Sequence, residues 1–372
     1  MSDFPTPLAG RLAKLALPGL PTVLSIISSF VLFMVFLSLQ GKPALEACLL
    51  VFEGACGSSF AWESTLQRAA PLMLTALCVA LPARAGLIII GGEGALVLGG
   101  LAAATLPLWL HGLPPLLMLI AMGMSAMLVG GLWIGLNGWL RQKRGLNETI
   151  GSLLLSYIAI ALFNHLVEGP LRDPSSLNKP ATAALDTSLM IGVISEDAFR
   201  VHWGLVAGVL VCLMAYVLVR HSVKGFALGV VGGNVRTARM LGLPVDRLVI
   251  LTCVLGGAAA GLAGMYEVSA VQGSANASLI AGYGISGILV SFAARHNPLA
   301  IIICAVLVGG IEASGSLLQR RLDLPDATTL ILQGLLFTNL LAWEAMSGRI
   351  TRWRMALDQR TARSGKTEVQ YG

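Results

Sequence analysis

The sequence predicts an all-α, polytopic transmembrane helical bundle of about ten spans, some of them short or broken at glycine, with both termini in the cytoplasm. Three observations carry that prediction. Of the 372 residues, 56 % are hydrophobic and 12 % charged, and the mean hydropathy is +0.80, outside the range of soluble domains. The apolar residues form continuous runs, unlike the alternating segments of about ten residues that build a membrane barrel. The basic residues fall singly or in threes between those runs, as expected when they set orientation in a bilayer. This balance excludes a water-soluble enzyme, a disordered chain and a disulfide scaffold. It also explains the net charge of +6 without nucleic acid.

Residues 1–18 form a cytoplasmic N-terminus with Arg11 and Lys14, and 19–345 form the transmembrane domain. The first span, Pro18 to Leu39, is too long for a signal-peptide core and lacks a nearby small-x-small site, so it is expected to be retained. Residues 43–58 contain Glu46 and Glu53 and suit an interfacial helix. A short run, Pro71 to Leu81, precedes Arg84. The run Gly86 to Leu110 is interrupted by Gly91, Gly92, Glu93 and Gly94, which implies a broken helix whose freed backbone groups meet a cavity or a neighbouring helix. Spans at 115–140 and 146–166 are separated by Arg141, Lys143 and Arg144. The acidic, proline-containing stretch 168–202 reads as an external loop, followed by a span at 203–219 and a basic loop at 220–247. Spans near 248–270, 283–294, 298–318 and 327–345 complete the domain, and 346–372 is a basic cytoplasmic tail. Alternating the spans places 18 of the 25 Lys and Arg residues inside, with Arg68, Arg320 and Arg321 among those left outside.

The chemistry begins with absences. Six cysteines show no C-x-x-C spacing, although Cys48 and Cys56 flank one short segment and could pair. Five histidines without H-E-x-x-H give no metal site, and no cofactor is expected. Gly365, Lys366 and Thr367 imitate the end of a P-loop, but Arg360 stands where glycine is required. The loop from Val223 to Leu248 is longer than a helical hairpin needs. It contains Gly232, Gly233 and Asn234, then a short predicted helix, Val235 to Leu241, closed by Gly242 with Pro244 beyond. Presenting Arg236, Arg239 and Met240 to the cytoplasm suits docking on a partner protein; a basic loop that only fixes topology is the alternative. Glu93 at its Gly-rich break is the foremost intramembrane candidate, either lining a path or acting as a structural carboxyl paired with Arg84 or freed backbone. Glu267 and Glu312 are intramembrane by the same count.

Five motifs in order resemble the integral-membrane permeases of ABC importers for simple sugars, nucleosides and branched-chain amino acids, closest to the nucleoside and simple-sugar branch. They are Arg84 to Ala95, Asn147 to Ala159, Gly169 to Pro174, Gly233 to Leu243 with the Gly/Ala-rich Gly256 to Gly264, and Gly282 to Val290 with Asn297, Pro298 and Leu299. The resemblance implies a transport subunit of the bacterial inner membrane with no catalytic residue. It further implies a cytoplasmic ABC ATPase docking on Gly232, Gly233, Asn234, Arg236, Thr237, Ala238, Arg239, Met240 and Gly242, a second permease subunit, and an external solute-binding protein. The expected substrate pathway comprises Gly92, Glu93, Gly94, Ser156, Tyr157, Asn164 and Glu267. The family's amides at three motif positions are here Ile89, Ala95 and Ser156, which points to a less hydrogen-bonding conduit or to a second chain that supplies the polar wall. The competing readings are an ion-coupled secondary transporter using Glu93 or Glu267 and, more remotely, an intramembrane enzyme.

Overall fold

Apolar runs of this length cannot leave backbone N–H and C=O groups bare in lipid, and helix is how they satisfy them. The computed structural model describes residues 20–110, 112–176, 179–194, 200–325, 327–343 and 345–346. Residues 1–18, the tail with its Gly365–Thr367 sequence, and Glu196 and Asp197 of the polar loop lie outside the described residues. Two units are distinguished, one holding the first and last described helices and the other spanning Leu50–Leu324.

In the first unit, α1 (Leu20–Leu39) and α13 (Ala327–Trp343) pair through polar side chains inside an otherwise apolar contact. Asn339 donates to Ser29 Oγ at 3.1 Å, Ser29 donates to the Leu335 carbonyl at 3.2 Å, and Trp343 Nε1 donates to Ser28 Oγ at 3.2 Å. The helix α2 (Ala44–Cys56) occupies the segment read as interfacial, and all six cysteines, Cys48 and Cys56 included, are free.

The second unit contains α3 (Ser59–Ala83), α4 (Gly92–Trp109), α5 (Pro115–Arg144), α6 (Glu148–Glu168) and α7 (Gly204–His221). There follow α8 (Val223–Gly233), α9 (Val235–Met240), α10 (Val245–Tyr266), α11 (Tyr283–Ala293) and α12 (Pro298–Leu322). A π turn, Glu267–Gln272, continues α10. Seven of these helices are long and apolar enough to cross a bilayer: α3 to α7, α10 with its π turn, and α12. Among the described residues four shorter apolar helices accompany them: α1, α8, α11 and α13.

Three expectations need correction, the first being that Val223–Gly233, expected as loop, is the helix α8, started by Ser222 and buried through Ala227, Leu228 and Val231. The helix α3 starts at Ser59, not at Pro71, so Arg68 lies within the helix and not on its outer flank. Pro71 deprives the Gln67 carbonyl of its helical N–H, but the segment before α7 covers that turn: the His202 ring lies beside the Gln67 backbone and Gln67 Nε2 donates to the Arg200 carbonyl at 2.7 Å. The Gly-rich break, expected in mid-helix, is instead the start of α4: residues 87–90 are irregular and Gly91 is the N-cap.

The centre of this unit is α10, which packs on α3, α4 and α5. Its Gly257, Gly261 and Gly264 lie so close to the Gly130, Ala126 and Leu96 carbonyls that a Cβ at any of them would enter the neighbouring backbone. Without a hydrophobic drive between helices in lipid, this close backbone approach is what makes dispersion contacts add up.

Candidate functional site

Glu93 stands in the first turn of α4, where a carboxylate is favoured by the helix dipole. Its side chain nevertheless reaches a second helix start. Gly282 N–H donates to Oε1 at 2.8 Å and Gly284 N–H to Oε2 at 2.5 Å, so one carboxylate covers the N-terminus of α11, and Glu93 is only 4 % exposed. Gly282 holds φ +84°, which L side chains rarely adopt, and a Cβ at Gly284 would enter the Glu93 backbone. Both glycines are therefore needed for the contact.

Between them, Tyr283 is held from every direction. Its carbonyl accepts from Thr75 Oγ1 of α3 at 3.0 Å, and its hydroxyl bonds to Glu267 in the π turn. Arg68 acts electrostatically on Glu267 and Tyr283, and Glu312 of α12 acts on Glu93, Glu267 and Tyr283. Three carboxylates and one guanidinium thus converge from α3, α4, the end of α10 and α12 on the first turn of α11.

Of the expected pathway residues, Gly92, Glu93, Gly94 and Ser156 meet: Gly94 N–H donates to Ser156 Oγ at 2.9 Å, and Ile90 N–H to Ser152 Oγ at 3.0 Å. Glu267 joins them through Tyr283. Tyr157 turns away, 63 % exposed, and Asn164 is half-buried at the edge of the packed stripe of α6. Ile89 and Ala95 are fully buried in one apolar cluster with Ile134, Cys78 and Cys253, so the two missing amides are replaced by close packing. Arg68, Tyr283 and Glu312 are members that sequence reasoning did not select as site residues, Glu312 having been noted only as intramembrane. A cationic side chain three residues before Pro71 was the available signal for the first.

The second candidate is the α8–α9 face. Ser222 caps α8 by accepting from Gly225 N–H at 2.9 Å. Asn234 caps α9 by accepting from Arg236 N–H at 2.9 Å and Thr237 N–H at 3.2 Å. Leu241 is the C-cap and Gly242, at φ +75°, turns the chain into α10. Ala227, Leu228, Val231 and Ala238 are buried against α10, while Gly232 abuts the Arg84 carbonyl at the end of α3. Outward stand Val223 at 86 %, Phe226 and Met240 each at 74 %, and Leu241 at 66 % exposure, with Gly233, Thr237, Arg236 and Arg239 also exposed. Asp246 ties this face to α5, 3.7 Å from Lys143 and 3.8 Å from Arg239. Nearby, in the α11–α12 connection, His296 shares a 2.9 Å hydrogen bond with Ser291 Oγ; burial and then the Arg84 guanidinium hold its imidazole below the ordinary value.

A family model described as "Branched-chain amino acid transport system / permease component" matches residues 61–341. A glucose ABC transporter permease protein of Haloferax volcanii is 31 % identical over 330 residues, covering 87 % of each chain. A guanosine ABC transporter permease protein of Bacillus subtilis is 26 % identical over 81 % of this chain and 86 % of its own. A nucleoside ABC transporter permease protein of Lactococcus lactis is 24 % identical over 78 % of this chain and 82 % of its own. These are permeases named for a sugar and for nucleosides, the branch that the sequence motifs resemble.

Proposed function

The chain belongs to the branched-chain amino acid transport system permease family, as a multi-pass ABC transporter permease, and from that premise we propose that it forms the solute pathway of an ATP-driven importer for a small polar solute of sugar or nucleoside type. In this reading ten helices span the inner membrane with both termini in the cytoplasm, and α8 and α9 transmit motion to a separate ABC ATPase. A second permease subunit completes the pathway, and an external solute-binding protein delivers the solute.

The observation that carries the proposal is the α8–α9 face. Buried alanine, leucine and valine anchor it to α10, and Gly232 abuts the end of α3, while Val223, Phe226, Met240 and Leu241 project outward between arginines. An exposed apolar cluster rimmed by charge is the composition of a docking surface. Any movement imposed there is applied directly to the two helices that hold Thr75 and Glu267. The path would run past Glu93, Gly92, Gly94 and Ser156, with Glu267 beyond.

The test is purification of the tagged chain from its native membrane in mild detergent, followed by uptake in proteoliposomes. Recovery of a P-loop ATPase with the chain, and uptake that requires ATP and survives a proton ionophore, is the expected result. Recovery of the chain alone, with uptake collapsed by the ionophore, would establish the ion-coupled transporter instead.

A further inference from the structure

Resting on the importer reading, we propose that a cavity beside Arg68 and Glu267 is a solute station, taking the hydroxyl groups of one neutral sugar ring at the end of the bundle remote from the α8–α9 face. The cavity has a volume of about 280 Å³ and its polar wall is Ser64, Gln67 and Arg68 of α3, Glu267 and Gln272 of the π turn, and Tyr283 of α11. That volume corresponds to roughly nine waters at about 30 Å³ each. It lies at the small end of ligand sites, which suits a monosaccharide ring but not a sugar and purine together. Along α10, its 22 residues at about 1.5 Å each separate the coupling end from Glu267 by roughly 33 Å.

The wall chemistry selects the ligand class. A guanidinium only donates and an ionised carboxylate only accepts, while hydroxyl and amide groups do both. A sugar presents adjacent hydroxyls, each able to donate and accept, so Glu267 can take an O–H while Arg68 gives an N–H to the same or the next oxygen. The Arg68 guanidinium only donates, while the Glu267 carboxyl accepts in either protonation state, so a polyol is the species that uses both. The two charges act on each other through space yet form no ion pair within 4 Å, which leaves their hydrogen-bonding capacity available to a guest. Glu267 is 5 % exposed and already oriented by the Tyr283 hydroxyl, so little ordering remains for binding to accomplish.

This station differs from the Glu93 contact, whose two oxygens are occupied by backbone N–H groups. Glu93 fixes the first turn of α11, and Glu267 meets the solute on the other side of Tyr283.

The experiment uses the complete importer in proteoliposomes with D-glucose, D-ribose and guanosine as probes. In a Cys56→Ser, Cys304→Ser background, Ser64→Cys is labelled by a membrane-impermeant methanethiosulfonate from the side opposite the ATPase. A transported sugar should slow labelling about threefold, and Glu267→Gln should remove that protection and raise KM about tenfold with kcat within about twofold. Gln272→Ala, which leaves the Tyr283 bond intact, should raise KM about threefold and guards against a folding defect in the first variant. Labelling that no transported sugar slows, or an unchanged KM in both variants, would overturn the station while leaving ATP-driven uptake intact. Uptake by the unmodified complex that does not need ATP would instead overturn the importer reading on which the station rests.

Discussion

The first turn of α11 and the first turns of α8 and α9 solve the same problem in opposite ways. Each begins with N–H groups that have no helical partner. Ser222 and Asn234 supply their own acceptors within three residues, so α8 and α9 are capped locally and keep their outer faces free. The N-cap of α11 is Gly282, which has no side chain to offer, and its acceptor is Glu93, 189 residues away. A local cap permits an exposed module that can change neighbours without losing its helix. A borrowed cap makes one helix start depend on another, which suits a region that must move as a block.

The largest effect should come from cutting the borrowed cap. Glu93→Ala leaves the buried Gly284 N–H and the half-buried Gly282 N–H without acceptors, a loss of about 1–3 kcal/mol from the first and less from the second. Glu93→Gln keeps one acceptor oxygen and should lose roughly half as much. Thermal unfolding of the purified chain in detergent measures both. An alanine variant melting with the parent would show that α11 does not depend on Glu93 and would erase the contrast.

Next in size is Gly284→Ala. The new Cβ would enter the Glu93 backbone, which is not the yielding end of a side chain, so α4 and α11 must separate at about 1–3 kcal/mol or more. The same substitution at Gly233, where a Cβ meets nothing within 4 Å, should be close to neutral on the same assay. Asn234→Ala removes a local cap and should weaken α9 by about 1 kcal/mol. Its signature is faster amide exchange in Val235 to Met240 with little change in global melting, because α9 is short and leans on α10 chiefly through Ala238.

The legibility of the sequence follows the same division. Glu93 and Glu267 stood out because a carboxylate within an apolar run is costly wherever it lies. The partners of Glu93 did not, since no periodicity links position 93 to positions 282 and 284. Arg68 was read as flanking charge because Pro71 resembles a helix boundary, whereas α3 continues through it, with Gln67 bonded to the segment before α7. The short helix after Asn234 was read and falls within one residue of its predicted end, while the capping role of Asn234 itself was not singled out. Its neighbour α8 was read as part of a basic loop, and Gly225, Gly229, Gly232 and Gly233 do oppose helix. It forms because Ser222 starts it and Ala227, Leu228 and Val231 are buried against the bundle.

A smaller, pH-dependent effect tests whether the connection beside the coupling face is rigid. His296 is held below its ordinary value near 6.5, so the folded chain keeps it neutral while the unfolded chain takes up a proton. The stability it confers is therefore complete above about pH 6.5 and is lost as pH falls through that value toward the folded one. His296→Asn should flatten the decline in melting temperature between about pH 7.5 and 5.5. An unchanged slope would assign the decline to other groups.

The smallest effect on the fold should be the most decisive for transport. Arg236→Glu with Met240→Glu alters side chains that are exposed, with Met240 at 74 %, and leaves Asn234 and Ala238 in place. Exposed substitutions of this kind move stability by about 0.5 kcal/mol or less. Reversed charge and a polar group in the apolar centre should nonetheless separate the ATPase from the permease and abolish ATP-driven uptake. If uptake and ATPase association both persist, α8 and α9 are a topological loop and the contrast with α11 loses its functional half. If melting falls as far as in Glu93→Ala, the face is part of the core. Only normal melting with lost coupling supports a locally capped module built to be engaged from outside.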